Sequence, residues 1–263
     1  MFRISYFGIR ILRIDPAFEK NKITSFIKTT LKEQGFKKVV LGMSGGIDSA
    51  TTFRLLKEAI EPANILIAHL YYFESKLEDF KSSLQKANIP NENIYELPIK
   101  NAVGELRKTL NIPEEDRLRL GNVMARIRMI ILYDLAKKND ALVLGTEDKS
   151  EFYLGYFTRF GDEASDIEPI RHLYKTQVYQ LAKYLGVPKE IVNRKSSPDL
   201  WPGHTAEKEL GFSYEEADIV LYLYFEQENN LSEIISKGFP NAKKIIDWTC
   251  KNSFKHHLPY VIK

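Results

Sequence analysis

The 263 residues carry 38 Lys and Arg against 35 Asp and Glu, a formal net charge of +3, with 44% apolar and 28% charged residues. This balance suits one α/β domain with a full core and is too even to indicate a nucleic-acid partner. Cys250 is the only cysteine, which excludes an intramolecular disulfide and a cysteine-cluster zinc site, and agrees with a cytoplasmic location. No apolar run is long enough to span a membrane, so no membrane partner is expected.

Residues 1–14 mix charge throughout and read as an N-terminal arm packed on the body, unlike a secretory leader. Asp15 then Pro16 form an N-cap and first helical position, predicting a helix to Gln34 that Gly35 closes. Val39-Val40-Leu41 reads as a buried strand. A glycine turn follows, then a helical pattern from Ile47 through about Lys57. Further strands are expected at 65–70, 94–97 and 141–144, with helices over 76–88, 101–110 and 122–137. Strands alternating with helices predict an α/β fold, a doubly wound, mostly parallel, Rossmann-like sheet with helices on both faces.

The 122–137 segment is apolar nearly all round, interrupted by Arg126 and Arg128. Such a helix is buried on two sides, one against the sheet and the other, we expect, against a second copy in a homodimer. Lys175-Thr176 precedes a helix ending near Gly186, and 194–205 reads as a mobile loop. Ser213 and Glu216 predict a capping box. Residues 232–251 read as two short helices.

The chemistry concentrates in Gly42-Met43-Ser44-Gly45-Gly46-Ile47-Asp48-Ser49. Gly45 and Gly46 lack Cβ atoms, so an oxyanion can approach their N–H groups closely. The helix behind them aims its free N–H groups at the same point, and Ser44 and Ser49 add hydroxyl donors. The Walker pattern is excluded because Ile47-Asp48 stands where Lys-Ser/Thr is required. An aspartate in such a cradle repels phosphate unless a cation lies between them, so Asp48 implies Mg²⁺. Ligands of open α/β sheets bind beyond the carboxyl ends of strands, which puts Thr146 near the cradle with Glu147, Asp148 and Glu151 just after it. Tyr153, Tyr156, Phe157 and Phe160 are candidates to stack on a ring, although aromatics at this spacing more often belong to a core.

Ser-Gly-Gly-Xaa-Asp-Ser after a strand resembles the pyrophosphate-binding loop of ATP pyrophosphatases. Several further pieces follow in order: Gly121-Asn122-Val123-Met124-Ala125-Arg126, Gly145-Thr146, Lys149-Ser150-Glu151, Gly155-Tyr156-Phe157-Thr158, Gly161-Asp162 and Leu173-Tyr174-Lys175-Thr176. Leu200-Trp201-Pro202-Gly203 and Glu209-Leu210-Gly211 complete the set. Together they resemble ammonia-dependent NAD⁺ synthetases over about residues 20 to 259.

The resemblance implies a ligase that adenylates deamido-NAD⁺ with ATP and displaces AMP with ammonia, the ammonia being free or supplied by a separate glutaminase partner. It implies that Gly42 through Ser49, Thr146, Lys175 and Ser197 contact ATP, and that Asp48 and Glu151 hold Mg²⁺. Asp48 and Lys175 would serve the chemistry itself. Arg126, Arg159, Asp166, Phe254 and Lys255 would contact deamido-NAD⁺, with 252–263 closing over the site. The chain departs from the family pattern at Glu147-Asp148, where a small residue and Asn are usual, at Arg171-His172, where Gly-Asp is, and at His204, where Gln is. Further departures are Tyr71, Glu163-Ala164, Lys195-Ser196-Ser197-Pro198, Ala206 and Phe254.

Overall fold

The structure is a computed structural model and describes residues 11–201, 203–257 and 260–262, apart from the side chain of Asp79. Residues 1–10 of the expected arm lie outside the described residues. Helix α1 spans Pro16–Gln34; Asp15 accepts from the Ala17 and Phe18 N–H groups, and Gly35 closes it at φ 77°, a conformation glycine adopts without penalty. Strands β1 (Lys38–Gly42), β2 (Ile65–Tyr71), β3 (Ile94–Pro98) and β4 (Ala141–Leu144) pair in parallel in the order β3-β2-β1-β4. Leu144 and Ile167 add a parallel bridge at the outer edge of β4.

Period-two alternation sorts the strand residues between two cores. Val39, Leu41, Ile65, Ile67 and Leu144 pack with Ile23, Ile27 and Leu31 of α1 and with Phe53, Leu55 and Leu56 of α2 (Ile47–Ala59). Val40, Leu66, Ala68, Leu70 and Val143 face the other way. They meet Val103 of α4 (Lys100–Thr109) and Met124, Ile127 and Leu135 of α5 (Arg117–Asn139). A sheet buried on both faces is what continuous apolar parallel strands require. Helix α3 (Leu77–Lys86) covers the first face with Phe80 and Leu84.

The expected helix at 122–137 extends further, to 117–139. Asp116 caps its start with a bond from the Arg119 N–H, and Asp140 ends it at φ 52°. Lys175 opens helix α7 (Lys175–Tyr184) instead of preceding it, because the Tyr174 N–H is taken by the Gln177 side chain. The capping box at Ser213 forms only by half. Ser213 accepts from the Glu216 N–H, whereas the Glu216 carboxylate turns away to Asn241.

Most of the remaining helices build a separate apolar cluster beside the sheet, while Val178 and Leu181 join the α1 and α2 core. The cluster joins α6 (Lys149–Leu154), α9 (Ala206–Leu210), α10 (Tyr214–Leu221), α11 (Leu231–Ser236) and α12 (Ala242–Asn252) around Leu154, Tyr174, Val220, Ile234 and Ile245. A short α8 (Lys189–Val192) follows α7. No described helix is long and apolar enough to cross a membrane.

Candidate active site

The chain winds outward from β1 to β2 and β3, then returns to place β4 on the other side of β1. That reversal opens a crevice at the carboxyl ends of β1 and β4, the place where such sheets bind ligands. Gly42 through Ser49 forms one wall. Gly45 has φ +84° and Gly46 is the N-cap of α2, with no side chain bonded to the helix's first N–H groups. A helix start without a side-chain cap in a glycine turn is a seat for an anion. Ser49 donates to the Gly46 carbonyl at 3.1 Å, and its hydroxyl lies 3.2 Å from that of Ser44.

His69 on β2 props the loop from behind and was not singled out in the sequence. Its Nε2 accepts from the Lys76 N–H at 3.0 Å, which leaves Nδ1 to donate to the Met43 carbonyl at 2.8 Å.

Lys175 is wholly buried, and its Nζ lies 2.8 Å from Asp48 Oδ2, 2.7 Å from Asp148 Oδ2 and 2.9 Å from Glu151 Oε1. The Tyr214 ring faces it at 5.3 Å. Burial pushes the ammonium pKa down, but the three acids outweigh burial and hold it well above the ordinary lysine value. Burial in turn raises Asp148 and Glu151, against the pull of Lys175. Asp148 also caps α6, and Glu151 returns the bond to the Asp148 N–H.

Asp218 fixes the helices that carry these groups. It accepts from Ser150 Oγ at 2.5 Å and the Thr176 N–H at 2.8 Å, tying the starts of α6 and α7 together. Burial raises its pKa to about 7. An acid at helical spacing from Tyr214 within the apolar segment Tyr214–Leu221 was a signal the sequence carried for this role.

The Mg²⁺ that Asp48 implies can be tested against these donors. The centre of the three carboxylates is taken by Lys175, and no group of three or more His, Cys, Asp or Glu among the described residues is arranged for a metal ion. Asp48 Oδ1, however, is buried at the loop and has no hydrogen-bond partner. A hard anionic oxygen left in that state suits a cation bound with phosphate, so the residues present fit the group.

Two departures from the family pattern prove to be partners. Arg171 Nη2 lies 2.7 Å from Glu147 Oε2, and the Glu147 side chain is only 4% exposed. Burial pushes the Glu147 carboxyl up to about 9 even with the guanidinium pulling it down. The Arg171 guanidinium also lies over the Phe152 ring, 4.3 Å from its centroid. Gly145, ahead of Glu147, has no room for a side chain: a Cβ there would meet Glu168 Oε1 at 1.9 Å.

The residues expected at deamido-NAD⁺ divide. Arg126 donates to the Arg159 carbonyl at 3.2 Å, Arg159 bonds the His257 carbonyl, and Lys255 donates to the Gly155 and Phe157 carbonyls at 2.6 and 2.9 Å. These three cations gather where the C-terminal segment crosses 155–159. Phe254 stands 49% exposed on the turn beside them. Asp166 is set apart, its Oδ2 accepting from the Val143 N–H at 2.7 Å on β4. Thr146 stands two residues past the end of β4, while Ser197 donates to the His204 carbonyl at 2.6 Å within its own loop. Of the candidate stacking rings, Tyr153 lies on Phe225 at 4.4 Å in the helical cluster and Phe157 is buried, so both follow the core reading; Phe160 is 48% exposed.

Fold and site define a doubly wound α/β protein with a glycine-serine loop, open at a helix start, beside a lysine-carboxylate cluster. The family model described as NAD synthase matches residues 19–259. An NH(3)-dependent NAD(+) synthetase of Chlorobaculum parvum is 37% identical over 96% of this chain and 91% of its own length, and one of Wolinella succinogenes is 39% identical over 93% and 95%. Among solved structures, the NMN synthetase of Francisella tularensis superposes with a TM-score of 0.80 at 30% identity, covering 95% of this chain and 99% of that one. The NH3-dependent NAD synthetase of Campylobacter jejuni gives 0.80 at 29%, covering 95% and 100%. The chain belongs to the NAD synthase family.

Proposed function

We propose that this chain makes NAD⁺ from deamido-NAD⁺, ATP and ammonia, releasing AMP and pyrophosphate. The observation that carries the reading is the start of α2 behind Gly45-Gly46, joined through Asp48 to Lys175, Asp148 and Glu151.

The nicotinate carboxylate attacks the α-phosphorus of ATP, and the bond to the bridging oxygen breaks with pyrophosphate leaving. Ammonia then adds to the acyl carbon of the resulting adenylate, loses a proton, and expels AMP to give the amide. Loop N–H groups and the Ser44 and Ser49 hydroxyls hold the phosphates, with Thr146 and Ser197 further ATP contacts. Asp48 and Glu151 would hold Mg²⁺, which neutralises phosphate charge when bound. Lys175 keeps those carboxylates in place and supplies positive charge behind the departing pyrophosphate. Arg126, Arg159 and Lys255, with Phe254 beside them, bind deamido-NAD⁺, and the turn Ser253–His256 closes over it; Asp166 contributes from the β4 edge. The protein works as one domain and as a homodimer joined through α5, on ammonia that is free or delivered by a separate glutaminase, in the cytoplasm.

The test supplies purified protein with ATP, Mg²⁺, ammonium and deamido-NAD⁺ and measures NAD⁺, AMP and pyrophosphate, expected in equal amounts. The likeness to an NMN synthetase sets the competing acceptor, so nicotinate mononucleotide is supplied in parallel. Faster formation of NMN than of NAD⁺ would transfer the reading to that substrate. ATP binding without AMP release would make the chain a nucleotide-binding regulator instead.

A further inference from the structure

Arg194 follows α8, which packs on the start of α2, and reaches the phosphate loop. Its Nη1 donates to the Gly45 carbonyl at 3.3 Å and lies 3.7 Å from where a Cβ on Gly45 would stand. Gly45 is the loop residue at positive φ, whose bare Cα lets an oxyanion approach. The guanidinium therefore stands at the lip of the cradle.

Beyond the bound cation, the chain itself brings little other positive charge to the cradle. The N–H and hydroxyl donors are neutral, and a helix start supplies only about half a positive charge. Lys175 shares its ammonium among three carboxylates below the loop. A leaving pyrophosphate gathers several negative charges, and a planar guanidinium can hold two of its oxygens at once.

We propose that Arg194 is a substrate-binding residue of this chain. On the reading that the loop holds ATP, it pairs with the β- and γ-phosphoryl oxygens and stays with them as pyrophosphate departs. The loop that begins at Arg194 and carries Ser197 thereby becomes part of the phosphate site.

The test compares wild type with R194A and R194K. Calorimetry with ATP and magnesium reads binding without turnover, and inhibition by inorganic pyrophosphate reads the product. R194A is expected to weaken both at least about tenfold, leave KM for deamido-NAD⁺ within about twofold, and keep the wild-type circular dichroism, with R194K recovering part of the loss. ATP affinity within about twofold of wild type in R194A would overturn the proposal, as would an equal rise in KM for deamido-NAD⁺, the mark of a purely structural role. NAD⁺ formation by the wild type is scored separately. Should the wild type bind ATP and make no NAD⁺, the functional reading falls, while lost ATP affinity in R194A still upholds this one.

Discussion

Lys175 sits at 0% exposure among Asp48, Asp148 and Glu151. Removing one partner of a buried ionic cluster leaves the others without compensation. Lys175→Met is expected to cost about 3 kcal/mol at pH 8, discounted because Asp48 and Glu151 keep some solvent contact. The cost should shrink at pH 5, because burial raises Asp148 and Glu151 and favours their protonated forms as pH falls; urea unfolding at the two values measures it, and an equal cost at both would contradict the charge argument. Asp48→Asn keeps the shape but gives up the unpartnered buried anionic oxygen. Pyrophosphate release should fall by about 100-fold or more with the fold retained by circular dichroism, and a near-wild-type rate would refute the role of Asp48 at the phosphates. The loop and Asp48 were legible in the sequence because their chemistry lies within eight consecutive residues. The roles of Asp218 and His69 and the pairings of Asp148 with Lys175 and of Glu147 with Arg171 were not, since each acts on a partner brought near by the fold.

Helix α5 shows what periodicity could read at the scale of an element. Its sheet-facing residues Met124, Ile127 and Leu135 are buried, while Ile130 is 55% exposed and Leu118 60% exposed on the outer side. Large apolar side chains left outward on a helix already packed along one side fit a second copy. Ile130→Glu is expected to convert the proposed homodimer to monomer in sedimentation velocity with helix content unchanged; a persistent dimer would move the interface off this face. Strand and helix bounds came close to expectation wherever a local stop signal existed, such as Asp15-Pro16 and Gly35 for α1. They slipped at α5 and at the Ser213 box. There the deciding bonds came from Asp116, ahead of the apolar pattern, and from Asn241, 25 residues beyond Glu216.

Across the molecule, burial without full compensation sets the response to pH. Glu147 is held up to about 9, and Glu168 and Asp218 to about 7, each mainly by burial. A carboxyl whose folded pKa exceeds its unfolded one keeps its proton in the native state and loses it on unfolding. Its stabilising share is complete below about 4.5, the ordinary value, and is lost as pH rises through the folded one. Stability should therefore fall from pH 5 to pH 9. Glu147→Gln should flatten the upper part of that slope, as urea midpoints at pH 5, 7 and 9 would measure. A rising midpoint across the range would reverse the sign argued here.

The sequence by itself determined the alternation of strands and helices, the glycine-serine cradle and the family. Hydrophobic period and turn chemistry act over a few neighbouring residues and can be read along the chain. Tertiary structure alone decided that Lys175 lies among acids 24 to 127 residues away, that Arg171 answers Glu147, and that Arg194 reaches Gly45. Electrostatic pairing depends on distance in space, and only the packed fold sets that distance.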